Sequence, residues 1–222
     1  KSLFIMYQWD SVNNNNNIPF LAKYFHKVFS FDREDCKNFG YYYLPNFYIS
    51  SIKNNSSKEN INDLLFVGKG HTDRIYLLNK IRESLPNEIK TKFIIYLPWY
   101  RFFIEKFLIK KRGSLSIRDF TFKKISLKNV QRLVSISKVI LDIHNPFQKG
   151  LTQRPFDALG NGKGLITTNI NIKKEDFYDE NVIQVLDRKN PIINIDIFTN
   201  RIKMTLGFEK YSLENWLKNI FV

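Results

Sequence analysis

Cysteine is nearly absent from this 222-residue chain. Cys36 stands alone, so no internal disulfide can form, which fits a reducing compartment such as the cytoplasm. Histidine is almost as scarce, and His26, His71 and His144 are too far apart in sequence to build a Cys/His zinc cage by local spacing. No apolar run nears the roughly 20 residues that cross a bilayer. The opening Lys1-Ser2-Leu3-Phe4-Ile5-Met6 is interrupted too soon for a signal peptide. Acidic residues are in deficit, 21 against 35 Lys and Arg, and the net charge of +14 calls for an anionic substrate, partner or surface.

Several catalytic signatures are missing as well. Gly68-Lys69-Gly70-His71-Thr72-Asp73 follows an apolar run and opens a helical pattern, but Asp73 stands where the dinucleotide fingerprint needs its third glycine, which argues against NAD. Gly160-Asn161-Gly162-Lys163-Gly164 is too short for a phosphate-binding P-loop, and glycine follows its lysine where Ser or Thr would hold Mg²⁺. The absence of HExxH, GxSxG and paired-cysteine spacings removes the metalloprotease, α/β-hydrolase and zinc-ribbon readings.

What the chain does have is 43% hydrophobic and 25% charged residues, enough for a sizeable core, arranged as strand-length apolar runs between longer amphipathic stretches. This alternation predicts an α/β fold with parallel sheet covered by helices. Strands are expected over 3–7, 27–31, 63–67, 92–96, 138–143, 164–168 and 181–186. Helices are expected over 18–24, 33–39, 72–84, 99–109, 127–135, 154–160 and 213–220. Residues 51–62 hold almost nothing apolar and read as a linker. It separates residues 1–50, the remainder of an N-terminal Rossmann-like domain, from a βα series over 63–205 and a C-terminal helix in 206–222. With so little before the linker, the chain is expected to be a piece of a longer protein.

Ligands of open α/β sheets bind outside the carboxyl ends of the strands. Three loops qualify. Trp9, Asp10 and Ser11 precede the polar run 13–17 after the first strand. Gly68, Lys69, Gly70, His71 and Arg74 form a basic glycine turn at a helix start, which suits phosphate. After the strand ending at 143, a polar loop reaches Gly150, Leu151, Thr152 and Arg154, where Pro155 marks a first helical turn and hence a second anion site. By helical spacing Asp157 is expected to share that cleft with Arg154 and to accept hydrogen bonds from sugar hydroxyls, unless the two form a surface pair. Two anion-binding helix starts around one cleft describe a site for a diphosphate bearing a ribose or sugar.

The runs Tyr7-Gln8-Trp9-Asp10-Ser11, Leu65-Phe66-Val67-Gly68 and Gly150-Leu151-Thr152-Gln153-Arg154-Pro155-Phe156-Asp157-Ala158-Leu159-Gly160 resemble bacterial GT-B-fold glycosyltransferases of lipopolysaccharide and capsule assembly. The last run is similar to the family's G-x-x-x-R-x-x-E-A-x-x-x-G donor loop and helix, with Asp157 in place of the longer glutamate. The resemblance implies two Rossmann-like domains, a nucleotide-sugar donor, a saccharide or lipid-linked acceptor, and no catalytic metal. By the resemblance, Gly150, Leu151 and Thr152 approach the donor, Arg154 neutralises its diphosphate and Asp157 holds the ribose. Lys69 and Arg74 add charge for the leaving group, and Asp10 is the carboxylate expected to take the acceptor's proton, although turn capping explains it equally.

Residues 99–111 read as an aromatic, basic, amphipathic helix that could lie on anionic lipid at the inner face of the membrane or simply cover the core. Two other readings stay open. One is a polyanion-binding module, for which no nucleic-acid motif speaks; the other is a GT-B-like nucleotide-sugar epimerase.

Overall fold

Strand order, more than strand content, defines the molecule. The computed structural model describes residues 2–50, 60–71, 73–102, 114–200 and 207–221. The first fifty residues form β1 (Ile5–Gln8), α1 (Ile18–Ala22), β2 (Lys27–Ser30), α2 (Arg33–Phe39) and β3 (Tyr42–Tyr43), whose strands make a parallel sheet in the order β1-β2-β3. Asp32 starts α2 by accepting the Glu34 N–H at 2.9 Å, and Gly40, at φ 73°, ends it in the left-handed region that glycine tolerates best.

The second sheet uses β4 (Asn62–Lys69), β5 (Thr91–Tyr96), β6 (Phe120–Thr121), β7 (Ser137–Asp142), β8 (Gly164–Thr167) and β9 (Ile183–Val185). All its pairings are parallel and its order is β6-β5-β4-β7-β8-β9. Counted within the sheet this is 3-2-1-4-5-6, the Rossmann order, in which the direction of winding reverses between β4 and β7. A crevice must open at that point, because the chain leaves β4 toward one sheet face and β7 toward the other.

The side chains show the two faces. Leu64 and Phe66 of β4, with Val139 and Leu141 of β7, are buried against Leu77, Leu78 and Ile81 of α3 (Arg74–Ser84). Their neighbours Leu65 and Ile140 pack oppositely, with Val134 of α4 (Leu127–Ser135) and with Phe156, Ala158 and Leu159 of α5 (Gln153–Gly160). Both faces are therefore dry, which is why the central strands read as unbroken apolar runs rather than alternating ones.

The last helix, α6 (Leu213–Phe221), returns to the N-terminal sheet. Trp216 and Ile220 pack with Phe29, Leu44 and Phe47, and the Trp216 indole N–H donates to the Pro45 carbonyl at 3.1 Å. Tyr48 forms a parallel bridge with Ser212. The two sheets are further stitched by Asn46 Nδ2 donating to the Leu151 carbonyl at 2.9 Å and by the Gly150 N–H donating to Asp32 at 3.1 Å.

All seven expected strands are present, and helices 33–39 and 127–135 have the expected bounds. β3 and β6 were not expected, since each is a two-residue edge strand too short to show a period. Residues 103–113, most of the expected basic helix, lie outside the described residues, as do residues 51–59 of the expected linker; residues 99–102 are helical. Among the described residues no helix is long and apolar enough to cross a membrane.

Gly160, the last residue of α5, lies against the ring of Tyr48, and a Cβ there would sit 2.1 Å from Tyr48 Cγ. Replacing glycine by alanine in a helix ordinarily gains up to about 1 kcal/mol, whereas overpacking costs about 1–3 kcal/mol. The clash involves a buried ring packed in the core around α5, so we expect Gly160→Ala to lower stability in urea unfolding. An unchanged or raised midpoint would show that Tyr48 moves aside freely.

Candidate functional site at the strand-order reversal

The centre of the crevice is Asp142, the last residue of β7, whose side chain is 1% exposed. A carboxylate this deep demands partners. Its Oδ1 takes the Arg154 guanidinium and lies 3.4 Å from Thr152 Oγ1, while Oδ2 accepts from Thr167 Oγ1 at 2.9 Å. Strand β8, the loop before α5 and the first turn of α5 are thereby fixed to one acid. Arg154 also lies over the Phe66 ring, 5.8 Å from its centroid, and its Nη2 would be 3.4 Å from a Cβ on Gly68. Arg154 and Gly68 thus meet across the reversal, as the sequence suggested.

Arg74 behaves differently from expectation. It is 6% exposed and braces the crevice from beneath: Nε donates to the Ile143 carbonyl at 2.7 Å and Nη1 to the Lys69 carbonyl at 3.3 Å. It thus ties the end of β4 to the end of β7 rather than standing free as a phosphate ligand. Burial, helped by Arg154, lowers its pKa to about 10, so it stays charged at neutral pH. Lys69 is exposed at the rim, and Gly70 is buried, with its N–H donating to the Tyr96 carbonyl at 2.9 Å.

The α5 loop also needs correction. The Gly150 N–H is already given to Asp32, and a Cβ there would meet the Phe31 ring at 2.7 Å, so Gly150 permits contact between the two sheets rather than approach of a donor. Leu151 is core. Asp157 does not share the cleft with Arg154: its Oδ1 accepts the Ile49 N–H at 3.3 Å. Residues three apart lie on adjoining parts of one helix face, and here their partners separate them, Arg154 being taken by Asp142 and Asp157 by the Ile49 N–H. Asp10 accepts from the Ser11 N–H at 3.1 Å and from Asn14 Nδ2 at 2.8 Å, the turn-capping arrangement. The same turn touches the β7 loop, with Asn145 Nδ2 3.4 Å from Asn14 Oδ1.

Three contributors had no role in the sequence reading. His144 Nδ1 lies 2.8 Å from Thr168 Oγ1, and Arg188, beyond β9, bonds both carboxylate oxygens of Asp73 at 2.7 and 2.6 Å and the His144 carbonyl. Asp142 had a legible signal, a charge ending a buried strand. Arg188 had none, because its loop is remote in sequence.

Both histidines of the crevice are held neutral. Burial first, then Arg74, Lys69, Arg101 and Arg154, push His71 down to about 4. Burial and Arg188 do the same to His144, against the opposing pull of Asp142. Burial and the neighbouring cations thus act in the same direction on both imidazoles. Among the described residues no group of three or more His, Cys, Asp or Glu side chains could hold a metal ion.

No family model matches this chain, and no curated protein does either. A solved structure described as accessory secretory protein 1,2 and 3 in Streptococcus pneumoniae is similar over 94% of this chain and 47% of that one, with 11% identity and a TM-score of 0.48. The chain spans about half the length of that relative. The fold class follows from the strand order itself: an α/β protein with Rossmann-like parallel sheet.

Two pH effects of opposite sign follow. His144 takes a proton near 6.5 when unfolded but only near 4 when folded, so its contribution is present above about pH 6.5 and is lost as pH falls toward 4. The loss is at most about 1.4 kcal/mol per pH unit for this residue. Urea unfolding of His144→Gln between pH 7 and 4.5 is expected to show a shallower decline than the parent; parallel curves would mean that His144 is not held neutral.

Asp157 is the reverse case, because burial raises its pKa to about 6. Its ionisation costs stability as pH rises from about 4 to 6. Asp157→Asn, which keeps an acceptor for Ile49, is therefore expected to be more stable at pH 7.5 by roughly 2–3 kcal/mol, with the gain vanishing near pH 4. A destabilised variant at pH 7.5 would show that the charged form is favoured.

Proposed function

We propose that the crevice at the reversal binds the diphosphate of a nucleotide-sugar, and that the chain belongs to a glycosyltransferase that moves the sugar onto a saccharide acceptor. The observation that carries the reading is the convergence of Arg154, Arg188 and Lys69 on the carboxyl ends of β4 and β7, over a buried Arg74 and two neutral imidazoles. Helix α5 opens there without a side-chain cap on its first N–H groups, and the Gln153 and Arg154 amides precede Pro155, which has none. Such a helix start favours an anion.

The chemistry follows from where charge develops. When the bond between sugar and diphosphate breaks, negative charge grows on the departing phosphate oxygens, and fixed cations stabilise that state more than the intact donor. Arg154 is already locked by Asp142, so little reorganisation accompanies the reaction. The neutral histidines add hydrogen-bonding capacity without compensating the positive field. The resemblance of residues 150–160 to the glycosyltransferase donor loop supports the choice of a sugar donor over other diphosphates, and lipopolysaccharide or capsular saccharide is the acceptor class it suggests.

A panel of nucleoside diphosphates and nucleotide-sugars in a thermal-shift assay tests this. At about 100 times its Kd a ligand adds about 2.7 kcal/mol to stability, a rise of roughly 5–11 °C in Tm for a protein of this size. One nucleotide class is expected to give that rise, and Arg154→Ala to abolish it. No shift from any nucleotide, together with salt-sensitive binding of arbitrary oligonucleotides, would replace the reading with a polyanion-binding module.

A further inference from the structure

We propose that Arg188 is a phosphate-binding residue of the crevice and that the Asp73 carboxylate occupies it until an anionic ligand takes it over. The inference rests on the reading that the crevice binds a diphosphate.

Arg188 approaches from the stretch after β9 and reaches over the ends of β7 and β8. Its Nη1 is given to both oxygens of Asp73, while Nη2 bonds the His144 carbonyl and lies 3.3 Å from Thr168 Oγ1. Asp73 immediately precedes α3, yet its side chain makes no capping bond to that helix. Its carboxylate turns to Arg188, and so puts a negative group at the place where a ligand's phosphate would meet the same cation. A ligand group is imitated by a residue of the chain.

Exposure decides which of the two ion pairs can open. The Arg154–Asp142 pair is anchored on a carboxylate that is 1% exposed, and a buried charge left without its partner is heavily penalised. The Arg188–Asp73 pair is 21% and 39% exposed, so Asp73 can return to water at little cost. A second observation points to an exchange. The Nε atom of Arg188 is buried and has no hydrogen-bond partner among the described residues. In its present pose the guanidinium spends Nη1 on the carboxylate and leaves Nε idle. Once Asp73 leaves, a turn of the guanidinium that frees Nη2 from the His144 carbonyl brings its Nε and Nη2 edge to a phosphate in Asp73's place and uses both donors, the paired geometry in which arginine binds phosphate best. No cation need be added to the site, since the exchange swaps one anion for another of higher charge.

Titration calorimetry with inorganic pyrophosphate at low salt tests the exchange, using the parent chain, Asp73→Asn, Arg188→Gln and the double variant. Removing the internal competitor is expected to tighten pyrophosphate by about two- to fivefold, the worth of a partly exposed ion pair. Arg188→Gln is expected to weaken binding and to erase the gain from Asp73→Asn in the double variant. Binding seen only in Asp73→Asn would also support the proposal. If the parent binds pyrophosphate and Arg154→Ala prevents it, but Asp73→Asn binds no tighter, this inference falls while the diphosphate crevice stands. If neither the parent nor Asp73→Asn binds, both fall. Should Asp73→Asn melt well below the parent, Asp73→Ser replaces it under the same criteria.

Discussion

A carboxylate sealed at the end of a central strand governs the arrangement around it. Asp142 is the last residue of β7, and β7 is the strand at which the sheet reverses its winding. Its two oxygens take Arg154 from α5 and Thr167 from β8, with Thr152 nearby. An acid at this depth without those partners would be strongly unfavourable, so the start of α5 has little freedom in where it sits. The position of Arg154 beside Gly68 is a consequence, because α5 is pinned on one side of the reversal while β4 ends on the other.

The distribution of charge follows the same geometry. Away from the reversal, two cations of the six-stranded unit are paired one to one: Arg82 grips Asp119 with two bonds at 2.6 and 2.8 Å, and Lys138 meets Asp63 at 2.7 Å. At the reversal, Lys69, Arg74, Arg154 and Arg188 converge around the two carboxylates Asp73 and Asp142. A low-dielectric crevice with one excess sign concentrates potential there. His71 and His144 stay neutral there, chiefly because they are buried and further because of the cations beside them.

Much of the architecture was legible in the sequence because apolar runs of strand length survive even where both sheet faces are buried, as in Leu64-Leu65-Phe66 and Val139-Ile140-Leu141. The crevice was legible in part, since Gly68 and Arg154 sit at strand and helix ends that periodicity locates. Roles within it were less so. Arg74 and Asp157 look like exposed helix residues by spacing, and only the packing of α3 beneath the reversal and of α5 beside Ile49 removes them from the ligand side. Arg188 could not be found at all, because contact with a residue 115 positions earlier leaves no trace in local pattern.

The stitching between the two sheets has a mechanical meaning. Asp32 holds the Gly150 N–H, and Asn46 holds the Leu151 carbonyl, so two consecutive residues just ahead of α5 are gripped by side chains of the first fifty residues. On the other flank Asn169 donates to the carbonyls of Lys149 and Gly150. The loop is a shared bearing: any rocking of one sheet against the other must drag the start of α5, and Arg154 with it. The backbone that sets the position of Arg154 is thus held jointly by the first fifty residues and by the strand-end residue Asn169.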